Sequence, residues 1–562
     1  MKHTKIYHFW CAENQKDFPA KEVMLAICAI FLVMLSSGCA QQYEETKEPT
    51  TTPYSADESQ QQPEQISEPE IKPEIPIKAI TFEVTIPKNT PKGDTVWVYI
   101  KQIPHKMEKI DDYTFSVTLR EAQLFGEGYI LGLNEKLRYR YSRNGYEFRT
   151  AEYLTPIPEE PDRDTSNYFW TAHGREIDYE PGKIQKDTIE RWRWFPKEGM
   201  ITKTTNLEPS GKFLPRVNNL EFRSGQTIED LYVPAFHDFF NSTAQHLKEQ
   251  GYTWIEIDPP WQWVEENVYP KVVNDLKLNP NYPDDETFLE ELGAYKQQGL
   301  KVLIAPQLCC TPLDIENKPR EWWERYFDET EKFLLHFAEL SQQGGADAFM
   351  YAVPSSQMES SPMYPTGVQE TFENIFKNIH SVFKGEVGQM VWIGGADAPP
   401  QSIPIPEFIT WYNQLDFILV ATEYPVSTKN NPTDEELYQG ASTILDGIKP
   451  LHDKLKKPLL VRNGYFNVKN SWKGQAFYSI GSIPWISDPE AALKESIYEF
   501  DTNDHTRTLN AYFRAIAERP WVIGYFHFGY THWEDPLSPW MSIRGKPAED
   551  LWRKWNGVIY NE

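Results

Sequence analysis

Apolar positions along the chain follow two different periods, and the change between them divides it. From about residue 79 to 145 they alternate with polar ones: Ile80, Phe82, Val84 and Ile86; Val96, Val98 and Ile100; Tyr113, Phe115, Val117 and Leu119; Leu137, Tyr139 and Tyr141. A period of two places every second side chain on one face of a strand, and these runs are short and separated by Pro, Gly and Asp turns. The pattern predicts an immunoglobulin-like β-sandwich over residues 79–196. Beyond Pro196, apolar runs of strand length alternate with helical stretches. The runs are YTWIEID (252–258), KVLIAPQ (301–307), DAFMYAV (347–353), QMVWIGG (389–395), DFILVATEY (416–424), PLLVRNGY (458–465) and WVIGYFHFGY (521–530). With a first strand expected within Lys212–Phe222 they make eight β/α units, so residues 197–562 are expected to close as an α/β barrel of the (β/α)8, or TIM, type.

Two segments at the start do not fit either pattern. Residues 1–38 hold a weakly basic leader and the apolar run Met24–Leu35, which suits the core of a signal peptide and is short for a permanent span. The run ends in Leu35-Ser36-Ser37-Gly38-Cys39, which resembles a bacterial lipoprotein cleavage box and makes Cys39 the expected lipidation site. Residues 39–78 are rich in Gln, Glu, Thr and Pro and bury too little apolar area to fold, so they read as a tether from a lipid anchor to the folded part. The expected location is therefore the cell envelope, extracytoplasmic and attached to a membrane through Cys39. After cleavage only Cys309 and Cys310 remain besides the lipidated Cys39, which leaves no disulfide framework; the pair reads as buried thiols.

The balance of charge removes one class of partner. The 562 residues carry a formal charge of −26, which repels phosphate backbones and argues against nucleic acid. Aromatic residues are 14% of the chain, more rings than a core needs, and stacking on sugars is one use for the surplus.

In a (β/α)8 barrel the chemistry lies at the carboxyl ends of the strands. Those positions read Asp258 with Trp261 and Trp263, Gln307, Ser355 and Ser356, Asp397, Glu423 with Tyr424, Asn463 with Tyr465, then His527, His532, Trp533, Glu534 and Asp535. Carboxylates among indoles suit a cleft for a polysaccharide or oligosaccharide, because sugar faces stack on rings and glycosidic cleavage needs a carboxylate opposite a protonated acid. Glu423, Asp397 and Asp258 are the candidate acids. Trp261, Trp263, Asn463, Tyr465, His527, His532 and Trp533 are the candidate sugar-binding residues. Each acid also has a plainer role: Asp258 as a turn cap before Pro259-Pro260, Asp397 in an Asx turn of GGADAPP, Glu423 in an ion pair with Arg462. His527 and His532, five apart after a strand, lack the spacing of a metal pair, and no phosphate loop or nucleophile elbow is present, so no metal or cofactor is expected.

Longer stretches carry two family resemblances. Thr81–Pro196, with VTIPKNTPKGDTVWV, YRYSRNGYEFRTAE and DTIERW, resembles the starch-binding carbohydrate-binding modules of family 20, although QIPHKMEKIDDY stands where that family has its sugar-stacking Trp turn. Residues 230–556, with WWERYFDETEKFLLHFAELSQQGGADAFMYA, QLDFILVATEYP, KPLLVRNGY, RPWVIGYFHFGYTHW and GKPAEDLWRKW, resemble the retaining β-mannanase-type enzymes of glycoside hydrolase family 113. The second resemblance implies an acid/base Glu after the fourth strand and a nucleophilic Glu after the seventh. This chain has Val353-Pro354-Ser355 and Asn463 at those places. Two readings follow: a hydrolase whose carboxylates have moved, or a protein that captures glycan without cleaving it.

Overall fold

The computed structural model describes residues 78–560 apart from 101–102, 126–135, 146–149, 155–173, 197–204, 230–234, 275–282, 310–312, 314, 316, 353–360, 394–409, 423 and 475–499. The leader, Cys39, nearly all of the tether, Ser355, Ser356, Asp397 and Glu423 therefore lie outside the described residues. Among the described residues no helix is long and apolar enough to cross a membrane.

The first folded region holds β1 (Ala79–Thr85), β2 (Val96–Ile100), β3 (Ile103–Lys106), β4 (Glu108–Lys109), β5 (Thr114–Arg120), a short helix α1 (Glu121–Phe125), β6 (Leu137–Arg143), β7 (Arg175–Ile177) and β8 (Ile184–Thr188). They form two four-stranded sheets, ordered β4-β5-β1-β8 and β3-β2-β6-β7. The alternating apolar residues of both, from Ile80 and Phe82 to Val96, Val98, Tyr139 and Tyr141, meet in one cluster.

Eight parallel strands then close a barrel: β9 (Arg223–Ile228), β10 (Trp254–Ile257), β13 (Lys301–Ile304), β15 (Ala348–Ala352), β16 (Glu386–Ile393), β17 (Phe417–Thr422), β18 (Leu459–Asn463) and β19 (Val522–Tyr530). Between β10 and β13 a hairpin, β11 (Pro260–Glu266) and β12 (Tyr269–Val273), pairs with β14 (Gln307–Cys309) outside the ring. The outer helices are α2 (Phe240–Glu249), α3 (Asp285–Gln297), α4 (Arg320–Gly344), α5 (Thr366–Val382), α6 (Asp434–Leu455), α7 (Thr502–Ala517) and α8 (Pro547–Tyr560). Barrel strands are buried on both faces, and their period of two sorts side chains into two cores. Ile255, Val302, Phe349, Val420, Val461 and Tyr525 face the helices, while Trp254, Leu303, Met350, Leu419, Leu460 and Phe526 fill the ring. That sorting also decides which polar side chains enter the barrel.

The first strand is not where the apolar pattern put it. Lys212–Phe222 instead turns around Arg216, whose guanidinium donates to the carbonyls of Leu214, Ile516, Ala517, Arg519 and Val522, with Asn218 and Asn219 in left-handed conformations. The strand is the polar RSGQTI that follows. Its polarity is absorbed by partners: Ser224 donates to Asn556 (2.6 Å) and Thr227 to Glu256 (2.6 Å). Gly225 is required there, since a Cβ would lie 2.3 Å from the Phe526 ring.

The two regions meet in a junction that is part apolar and part ionic. Trp97 and Tyr99 of β2 pack with Ala235, Phe236, Phe239, Phe240 and Trp533 of the barrel. Beside them the fully buried guanidinium of Arg143 lies between Asp94 of its own region and Asp535 of the barrel.

Candidate active site at the barrel mouth

At the carboxyl end of the ring the inward positions of strands that are not adjacent bring charged groups together across the barrel. On β10 the inward set runs Trp254, Glu256, Asp258, and on β18 it runs Leu460, Arg462. Arg462 donates to Glu256 and lies 3.5 Å from Asp258 Oδ2, all three side chains being almost wholly buried. Its other nitrogen reaches Met390 Sδ of β16 (2.7 Å), and Phe528 of β19 stands 5.2 Å away from the guanidinium carbon. Thr227 holds the second oxygen of Glu256, and the amide of Gln307 donates to Asp258 Oδ2 at 2.6 Å. Asp258 Oδ1 meets no other hydrogen-bonding group among the described residues except the neighbouring Glu256 carboxyl. A third acid, Glu229, follows β9; its carboxylate accepts from the Trp540 indole (2.6 Å).

Burial and the neighbouring Glu256 push the Asp258 carboxyl well above the usual carboxylate range, against the opposing pull of Arg462 and Gln307. One guanidinium serves two acids, which leaves Asp258 with less of its charge than Glu256. The shift favours the neutral, proton-carrying form of Asp258, the form a general acid needs.

The other candidates are placed elsewhere. Trp263 is buried and stacks on Tyr326 of α4, with centroids 4.8 Å apart and planes at 18°. Trp261 lies outside the ring on β11, packed on Phe337 (5.5 Å) and His336 (4.8 Å), and borders a shallow open hollow of about 460 Å³ with Asn274, Asp284, Asp285 and Glu286. Asn463 and Tyr465 have the outward parity: the Asn463 amide donates to the Tyr525 hydroxyl (2.8 Å), and the Tyr465 hydroxyl donates to the Tyr424 carbonyl (2.8 Å). His527 also faces the helices, 5.4 Å from the ring of His505 on α7. His532 lies against Phe236 and Phe240 with Nδ1 3.2 Å from Thr243 Oγ1. Burial pulls both imidazoles down to about 3, so both are neutral. Trp533 belongs to the junction, its indole donating to Asp535 Oδ2 (2.9 Å). Of the eight candidates among the described residues, one, Asp258, lies in the charged floor; Asp397 and Glu423 lie outside the described residues.

Glu256, Arg462 and Glu229 are the members that the sequence reading did not place in the site. Glu256 carried a usable signal, since it shares the parity of Trp254 and Asp258 in YTWIEID. Glu229 carried none while its strand went unrecognised.

A model of glycoside hydrolase family 113 matches residues 239–539, more than half of the chain and seven of the eight barrel strands. The chain belongs to glycoside hydrolase family 113. Among solved structures, this family 113 chain is similar to a family 113 β-mannanase from Alicyclobacillus acidocaldarius, at 17% identity and a TM-score of 0.46 over 61% of this chain and 99% of that one. It is similar to a family 113 β-1,4-mannanase at 14% identity and a TM-score of 0.45 over 60% and 99%. An endo-1,4-β-D-mannanase from Thermotoga petrophila aligns at 11% identity and a TM-score of 0.36 over 60% and 99%. A search of curated protein sequences returns no significant match.

Proposed function

We propose that this family 113 chain hydrolyses β-linked glycan of the mannan type at the barrel mouth, with Asp258 as the proton donor. The observation that carries the reading is a fully buried carboxyl at the carboxyl end of a barrel strand, pushed well above the usual carboxylate range, in a chain of a glycoside hydrolase family. A glycosidase needs such an acid opposite a carboxylate. Glu229, at the end of β9, is one source of that carboxylate; Glu423, which follows β17, and Asp397 are the sequence's candidates. The leader, the tether and Cys39 support a lipid-anchored place in the cell envelope. The alternation and phrasing of residues 79–196 support a sandwich module of starch-binding type, presented beside the barrel.

The test is the release of reducing ends from a panel of β-mannan, β-glucan and α-glucan, with Asp258→Asn and Glu423→Gln beside the parent protein. Loss of a general acid lowers the rate by about 10²–10⁴-fold, and Asp258→Asn is expected to fall in that range while still binding the chain it no longer cuts. Activity that survives Asp258→Asn removes it as the donor. One observation favours a second reading, glycan capture without cleavage: Asn463, at the position where the family resemblance implies the nucleophile, spends its amide on Tyr525 in the outer core. Binding of one glycan with no release from any would decide for capture.

A further inference from the structure

The junction and the mouth are linked by a single stretch of chain, the segment after β19 that runs from Trp533 to Lys546. At its start Asp535 is held from two sides, one oxygen by Arg143 (2.5 Å) and the other by the Trp533 indole (2.9 Å). Arg143 also donates to the Glu534 carbonyl (2.8 Å), and the Leu537 amide donates to the Trp194 carbonyl (3.0 Å), a second tether to the N-terminal region. Further along, the Lys546 ammonium ties the carbonyls of Ser538 (2.9 Å) and Ser542 (2.6 Å), and the Asn467 amide reaches the carbonyls of Trp540 and Ser542. Trp540 then packs on Phe466 (5.4 Å) and donates its indole N–H to Glu229. An unbroken series of contacts thus leads from a guanidinium in the first region to a carboxylate at the mouth.

A buried triad of one guanidinium and two carboxylates is a weak way to add stability, since its desolvation offsets most of the attraction, but it fixes geometry well. The apolar cluster beside it supplies adhesion and would tolerate small shifts; the fork of Arg143 does not. We propose that Arg143 is a positioning residue for the barrel mouth, acting through the Trp533–Lys546 segment to hold the Trp540 indole and with it the Glu229 carboxylate. The N-terminal region is then part of the catalytic apparatus rather than an appended binding module. This inference rests on the hydrolase reading only for its kinetic arm.

The experiment uses the full chain with Arg143→Lys, Trp540→Phe, the double variant, and Lys106→Ala as a control that breaks the exposed Lys106–Asp238 pair of the same junction. Lysine keeps the charge and loses the fork. Amide exchange across residues 537–546 is expected to quicken roughly tenfold in Arg143→Lys and to stay unchanged in Lys106→Ala. For glycan hydrolysis, kcat falls on the order of tenfold to a hundredfold in Arg143→Lys with KM nearly constant. The double variant is no slower than Trp540→Phe, because both substitutions release the same group. Unchanged exchange over 537–546, or losses that multiply in the double variant, would overturn the proposal. If the parent protein cleaves no glycan, the hydrolase reading falls and exchange alone decides this one. Should Arg143→Lys not fold, Asp535→Asn is read in the same way.

Discussion

Burial pushes up the carboxyls of both Asp258 and Glu291, and the two differ in what surrounds them. Asp258 has Arg462, Glu256 and Gln307 about it, whereas Glu291 of α3 faces the core with burial as the sole cause, pushed up to about 8. Its native value lies above its ordinary 4.5, so the folded state binds the extra proton between those limits. Stability from this group is complete below about pH 4.5 and is lost as pH rises toward 8. Glu291→Gln removes that slope: the variant gains little at pH 5 and on the order of 3 kcal/mol at pH 7, read from urea unfolding at several pH values. Parallel stability curves for the two proteins would show that Glu291 is charged in the native state. At this scale the sequence revealed Asp258, because a carboxyl before Pro259-Pro260 at a strand end is conspicuous. Glu256 and Arg462 look like misplaced charges inside apolar strands until a partner across the ring explains them, and that partner is 206 positions away.

For the elements, apolar period worked where a strand is apolar on both faces and failed where packing is made by other means. β9 was invisible because Ser224, Gln226 and Thr227 give it the look of a loop; its place in the ring comes from two parallel neighbours, β10 and β19. Parity also explains why Asn463 and Tyr465, placed by sequence at a strand end, are turned away from the mouth: strand ends can be located from composition, but the inward phase follows only from a neighbour's register. Helix α6 carries another such case. Gly440 interrupts a good helical sequence, and propensity alone credits Gly440→Ala with about 1 kcal/mol. A Cβ there would lie 1.8 Å from the Val426 carbonyl oxygen, so the helix rides directly on that loop's backbone. The substitution is expected to cost about 2 kcal/mol instead, measured by thermal or urea unfolding. A stabilised Gly440→Ala would mean that α6 sits further from Val426.

Across the whole molecule, the change of period near residue 196 predicts two regions, and nothing in the sequence announces how firmly they are joined. Arg143 and Asp535 are 392 positions apart and leave no periodic trace. Deleting everything before residue 205 would expose Phe236, Phe239, Phe240 and Trp533 and leave Asp535 without its guanidinium. The shortened chain is expected to lose on the order of 5 kcal/mol and to associate, while the full chain melts in one transition. Calorimetry and light scattering of both proteins check this; an equal melting temperature and a monomeric fragment would contradict it.

The charged floor has one more implication. Glu256 and Arg462 sit on strands of the barrel ladder, and Asp258 one residue beyond, while the β11–β12 hairpin pairs outside that ladder. On the proposed hydrolase reading, preference among glycans and the handling of protons are thereby lodged in separable parts of the polypeptide. The connecting segments could be exchanged wholesale with those of a relative, redirecting the protein to a different polymer, and the acid would still wait in the same spot.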